Sequence, residues 1–215
     1  QSVAGGGDIN DDGYGDIIVG AYANDGGGTN AGAAYLLLFK GALGATGMTL
    51  DLSDADLKMT GERAGDYAGF SVSIGADLDG DKRPDVLVGA IYEASVAQKA
   101  GASYLLFNDG ALASGSSVLS LSDADLKLTG EAYWDYAGVV VTGAGDVNGD
   151  GIGELFIGSH HFGVDGPDGP DGADGADGRD GLGVRAGAGQ PSLPTRLRQA
   201  PLRRLGRGEF GRAKR

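Results

Sequence analysis

The sequence contains no cysteine, which removes disulfide staples, zinc thiolate sites and thiol nucleophiles together and leaves the redox compartment unreadable. No apolar run approaches the ~20 residues that a spanning helix needs, so no transmembrane segment is expected. No signal-peptide pattern stands at residue 1, which carries no information about targeting. Histidine is nearly missing as well: His160 and His161, adjacent in sequence, are the two. There is no G-x-S-x-G, no HExxH and no P-loop. Lacking a nucleophile or an acid–base set, the chain is not expected to be an enzyme. The histidine pair could ligate a metal, but two neighbours at a strand end need no such role.

Glycine is plentiful instead, 43 of 215 residues, against a usual share of about 7%. The glycines punctuate short apolar runs. Charge is uneven along the chain. Residues 1–162 hold 7 Lys and Arg against 23 Asp and Glu, a net of −16, whereas residues 183–215 hold nine against one, a net of +8. The acidic part argues for cations and against nucleic acid.

A repeat organises residues 1–162. LSDADLKMTGE, Leu52 to Glu62, returns as LSDADLKLTGE, Leu121 to Glu131, a shift of 69 residues. The same shift carries Asp8 to Asp77 to Asp146, Tyr35 to Tyr104, and Gly20 to Gly89 to Gly158. It also sets Gln1 level with Phe70 and Val139, so the chain is expected to begin inside a strand, with any targeting segment upstream. One period offers four short strands, DYAGFSVSIG, PDVLVGAIY, GASYLLF and DADLKLTG, separated by Gly, Asp and Asn turns. That is the pattern of a propeller blade. A β-sandwich would accept the same strand lengths but has no need of a fixed register.

Each period carries an acidic turn between its first two strands: DINDDGYGD (8–16), DLDGDKRPD (77–85) and DVNGDGIGE (146–154). Oxygen side chains fall at positions 1, 3, 5 and 9, with a backbone carbonyl available at position 7. Ca²⁺ takes six to eight oxygens, and a tight loop can converge alternate residues on one point. The candidate ligands are Asp8, Asn10, Asp12 and Asp16 with the Tyr14 carbonyl, then Asp77, Asp79, Asp81 and Asp85 with the Arg83 carbonyl. The third set is Asp146, Asn148, Asp150 and Glu154 with the Ile152 carbonyl. An EF-hand or dockerin loop would need a carboxylate near position 12, where Val19, Val88 and Ile157 stand. Turn formation alone accounts for Asp, Asn and Gly in a single loop, less readily for three loops in register. The first loop is expected to bind most tightly, because Lys82 displaces the favoured Gly at position 6 of the second and Glu154 lengthens the third.

AGFSV (68–72), the three acidic loops, and IIVGAY (17–22) with VLVGAI (86–91) resemble the FG-GAP repeats of integrin α-chain propellers and of many bacterial surface and secreted proteins. Ala68 and Ala137 stand where that motif has Phe, no Pro follows Gly-Ala, and residues 158–160 read GSH, departures that favour the bacterial branch. The resemblance implies an all-β fold, a partial β-propeller of about two and a half four-stranded blades over residues 1–162, with Ca²⁺ stabilising inter-strand loops. An open arc would leave strand edges unpaired.

From Gly163 the register is lost. Gly recurs at every third residue to 181, which reads as a Gly/Asp-rich linker (163–182) rather than a triple helix. Residues 183–215 are basic and read as a disordered tail from a reading-frame slip or gene-fragment end. The function expected is a calcium-binding structural or adhesion module, extracellular or at the cell surface, with a protein or surface-glycan partner engaged through the full propeller. The alternative is a non-catalytic propeller segment of a secreted hydrolase or phospholipase-like enzyme.

Overall fold

Short runs of branched and aliphatic residues set the strands, because such side chains pack well on a pleated sheet. The computed structural model describes residues 2–41, 49–113 and 117–160, so the expected linker, the basic tail and His161 lie outside the described residues. Those described belong to one compact unit, Gln1–Asp171. The first blade holds β1 (Ser2–Gly5), β2 (Ile17–Ala21), β3 (Ala33–Leu37) and β4 (Leu57–Thr60). The second holds β5 (Ala68–Ile74), β6 (Val86–Ala90) and β7 (Ala102–Leu106), then, after β8 (Ser117–Ser120), β9 (Leu126–Thr129). A half-blade of β10 (Val140–Gly143) and β11 (Leu155–Gly158) follows. Three single 3-10 turns complete the elements, and no α-helix occurs among the described residues. No described helix is long and apolar enough to cross a membrane.

The described residues are thus all-β, a partial propeller whose blades are antiparallel meanders in the orders β1-β2-β3-β4 and β5-β6-β7-β9. The 69-residue shift is visible atom by atom. Val19 faces Tyr35 as Val88 faces Tyr104, and the bridge Gly32 to Ala68 returns as Gly101 to Ala137. The first strands β1, β5 and β10 adjoin in succession. Between the blades lies a core of Ile18, Leu36, Met59, Val86, Val88 and Tyr104, all fully buried.

One expectation needs correction. The first sheet has five strands, not four: β8, donated from the second blade, lies parallel on the outer edge of β4. Its Leu119, with Leu121 just beyond, packs on the core.

Successive blades meet at glycine. A Cβ on Gly20 would lie 2.1 Å from the Gly69 carbonyl oxygen, and one on Gly89 would lie 2.1 Å from that of Gly138. The glycines of the two sequence signatures therefore face each other across each seam, where no side chain fits. Outside the core, rings cross the same seams, Tyr22 stacking on Tyr67 (5.8 Å between centroids) and Tyr92 meeting Tyr136 (5.6 Å), while Tyr67 meets Tyr92 (4.7 Å) within the second blade and joins the two pairs. Lys99 lies over both Tyr92 (4.5 Å) and Trp134 (4.3 Å).

A buried charge cluster anchors the β4–β5 connection. Lys127 Nζ donates to Glu62 (2.8 Å) and to the fully buried Glu93 (3.1 Å). Nearby, Asp66 accepts from the Arg63 amide at 2.9 Å. Burial first, then the charges of Glu93 and Glu62, push the Asp66 carboxyl up to about 6 from 3.8. The folded state therefore binds more protons than the unfolded chain between those values, and this group's effect is to lower stability as pH rises through that window. Asp66→Asn keeps the acceptor oxygen and is expected to flatten the slope, read from urea denaturation across the same pH range without metal. An unchanged slope would refute the assignment.

Candidate metal centre

Each acidic turn is built by the same side-chain-to-backbone bonds. Position 1 accepts from the amide of position 6: Gly13 to Asp8 at 2.7 Å, Lys82 to Asp77 at 2.8 Å, Gly151 to Asp146 at 2.8 Å. Position 3 accepts from position 5: Asp12 to Asn10 at 3.1 Å, Asp81 to Asp79 at 3.0 Å, Asp150 to Asn148 at 2.9 Å. Position 5 accepts from position 7: Tyr14 to Asp12 at 2.9 Å, Arg83 to Asp81 at 2.8 Å, Ile152 to Asp150 at 2.9 Å. These are Asx turns in series. They curl the nine residues into a tight loop and hold the amides of Tyr14, Arg83 and Ile152; the carbonyls of the same three residues, each on the following peptide, are the position 7 candidates.

The curl needs left-handed backbone at two points. Position 4 has φ of 58° at Asp11, 87° at Gly80 and 80° at Gly149, and position 6 has 89° at Gly13, 74° at Lys82 and 91° at Gly151. Lys82 carries a side chain where its two counterparts carry none. Such a conformation costs an L-residue roughly 1–2 kcal/mol, less the entropy that Gly loses on folding. Lys82→Gly is therefore expected to stabilise the chain by up to about 1 kcal/mol, a rise of about 2–4 °C in Tm by calorimetry. A lower Tm would contradict it.

Position 9 does more than its spacing announces. Asp16 and Asp85 are buried, at 0% and 2% exposure. Each braces the loop's second residue, Ile9 or Leu78, at 2.7 Å, and also the chain just after the third strand, Phe39 or Asn108, at 2.9 Å. Asn108 in turn donates through Nδ2 to the Ile9 carbonyl at 2.9 Å, tying the second blade to the first loop. In the third loop Glu154 accepts from Val147 and Asn148. Sequence spacing missed this bracing. Its one signal was that Phe39 and Asn108 stand a single period apart.

Two of the three loops gather their carboxylates. Ligand oxygens of Asp77, Asp79 and Asp85 lie within 4.8 Å of one another, as do those of Asp146, Asp150 and Glu154. Asp81 stays outside the second group, and among the described residues Asp8, Asp12 and Asp16 form none. The expected preference for the first loop has no counterpart in this geometry. Crowding shows in proton affinity. Burial first, then the charges of Asp79 and Asp81, push Asp85 up to about 6, against the amides of Asn108 and Leu78. Asp79 is raised by burial and by Asp81 and Asp77, and Asp16 by burial and by Asp8 and Asp12. A divalent cation relieves such repulsion, and an all-oxygen donor set suits a hard one. The second and third loops fit that requirement.

No curated protein matches the chain. The family model described as the FG-GAP repeat matches residues 1–37 and 68–106, which span β1 to β3 and β5 to β7 with the first two acidic loops. Residues 1–37 and 68–106 are FG-GAP repeats, and the fold they build here is a partial β-propeller.

Proposed function

We propose that this chain is a calcium-binding structural module of an extracellular or cell-surface protein, in which Ca²⁺ clamps the turn between the first two strands of each blade. The observation that carries the reading is the pair of carboxylate groups, Asp77 with Asp79 and Asp85, and Asp146 with Asp150 and Glu154, each within 4.8 Å. Asp8, Asn10, Asp12 and Asp16 with the Tyr14 carbonyl would hold a third ion, while Asp81 with the Arg83 carbonyl would complete the second loop's set and Asn148 with the Ile152 carbonyl the third's. The ion supplies charge neutralisation and cross-linking. The protein braces the loop, through Asp16 and Asp85, to the end of the third strand. FG-GAP repeat domains are typically structural, non-catalytic modules, often extracellular. Millimolar calcium outside cells matches loops with affinities of about 10⁻⁴–10⁻³ M. The propeller spans residues 1–162 in this reading, and a protein or surface glycan engages it as a whole.

Titration calorimetry of the full chain is the test. Calcium is expected to bind in that affinity range, with Asp77→Ala and Asp146→Ala each removing one site. Magnesium should bind more weakly, since it demands octahedral geometry and sheds water reluctantly. A folded chain that takes up no calcium at several millimolar would end the proposal.

A further inference from the structure

Neighbouring acidic loops touch, each pair by a different means. Gly153, at position 8 of the third loop, donates its amide to the carbonyl of Asp77, position 1 of the second, at 2.6 Å. Position 8 of the second loop is Pro84, which has no amide to give, so the same backbone bond to Asp8 cannot form. Pro84 packs instead on Gly7, where an added carbon would lie 3.0 Å from Pro84 Cβ. The polar link across that seam is a side chain: Asn108 Nδ2 donates to the Ile9 carbonyl at 2.9 Å.

Asn108 thereby completes a path between two position 9 carboxylates. Asp85 Oδ1 accepts from the Asn108 amide at 2.9 Å, Asn108 Nδ2 reaches the Ile9 carbonyl, and the Ile9 amide donates to Asp16 Oδ2 at 2.7 Å. All four residues are buried. Water therefore offers no ready substitute, and a broken link leaves a dry polar group, which is costly. The two ends of the path are unequal. Asp85 stands in a gathered set with Asp77 and Asp79, whereas among the described residues Asp8, Asp12 and Asp16 form none. Asn10 Nδ2, in the first loop, is buried and finds no partner among the described residues, although its counterpart Asn148 donates to Glu154.

From this we infer, resting on the calcium reading above, that the first loop is a dependent site: it fills after the second, and occupancy of the second raises its affinity through Asn108. Fixing Asp85 fixes the Asn108 amide, and with it the side chain that reaches Ile9. Ile9 lies between Asp8 and Asn10, positions 1 and 3 of the first loop. Holding its carbonyl from Asn108 and its amide from Asp16 removes backbone freedom that the first loop would otherwise lose on binding. A second ion then has less disorder to remove, which is positive coupling. Repulsion between neighbouring ions acts the other way, and salt at about 0.15 M, with a Debye length of ~8 Å, limits it.

The test titrates the full ¹⁵N-labelled chain with calcium chloride at about 0.15 M salt, reading each loop by its position 6 amide, Gly13, Lys82 or Gly151. In the wild type, Lys82 is expected to saturate ahead of Gly13. Asp77→Ala should weaken the first loop about fivefold, and Asp8→Ala the second by the same factor, since coupling in binding is reciprocal. Asn108→Leu should abolish both effects while each loop still binds. The first blade carries Phe39 at that place, with the same amide bond to its position 9 carboxylate, so an apolar side chain is compatible with the brace; Asn108→Ala serves if the Leu variant does not fold. Gly13 leading Lys82, a first loop indifferent to Asp77→Ala, or an equal weakening in the Asn108→Leu background would each overturn the inference and leave the calcium reading standing. A folded chain with no calcium-dependent shift in any loop would end that reading, and this inference with it.

Discussion

Calcium is expected to raise the melting temperature of this chain by roughly 10 °C or more, and the triple variant Asp8→Ala, Asp77→Ala, Asp146→Ala to lose that rise entirely. At about 10 mM calcium, a site with Kd of about 10⁻⁴–10⁻³ M contributes roughly 1.4–2.7 kcal/mol by mass action. Several sites on one cooperative unit add, and each kcal/mol moves Tm by about 2–4 °C at this size. The variants remove position 1, which accepts the position 6 amide in every loop, so some loss without metal is expected as well. The diagnostic is therefore the calcium-dependent increment, measured by circular dichroism in chelator and in calcium. Superimposable curves for the wild type in both buffers would refute the metal reading.

Gly89→Ala is expected to cost about 3 kcal/mol or to prevent folding. Ala ordinarily gains about 0.5–1 kcal/mol over Gly inside a strand, so the sign itself is informative. Gly89 has no left-handed φ, so the penalty is purely one of space: the added carbon would meet the Gly138 carbonyl oxygen at 2.1 Å and Ser71 Oγ at 2.6 Å. Backbone cannot yield there without parting the blades, and overpacking of buried sites commonly costs 1–3 kcal/mol or more. Gly151→Ala is the companion experiment. Nothing lies within 4 Å of its added carbon, but φ is 91°, so its cost should be only about 1 kcal/mol. Urea denaturation of both variants tests the pair, and a Gly89→Ala chain as stable as wild type would contradict the close approach.

The repeat made the blades readable because position 52 and position 121 each open the same eleven-residue phrase, and one shift then aligned the four meander strands of each blade. Acidic spacing was readable for a related reason: in a tight loop, alternate residues share a side whatever their rotamers. Three things were not. β8 looks like an ordinary link, since SVLS carries no local mark of pairing with a strand about sixty residues earlier. The double duty of Asp16 and Asp85 depends on where the third strand ends in space. Which loop gathers its carboxylates is a matter of ångströms, and the Gly content of position 6 does not determine it. Lys82 occupies a strained φ of 74°, yet its loop brings Asp77, Asp79 and Asp85 together.

The chain has one tryptophan, and it stands at a particular joint. Trp134 lies in the connection from β9 to β10, with its amide bonded to the Gln98 carbonyl at 3.2 Å and its ring 6.1 Å from that of Tyr136. Its emission is thus a native optical probe of the junction between the second blade and the half-blade, blind to the rest. Far-ultraviolet dichroism averages over all strands, so the gap between the two signals measures how far the half-blade detaches ahead of the blades behind it.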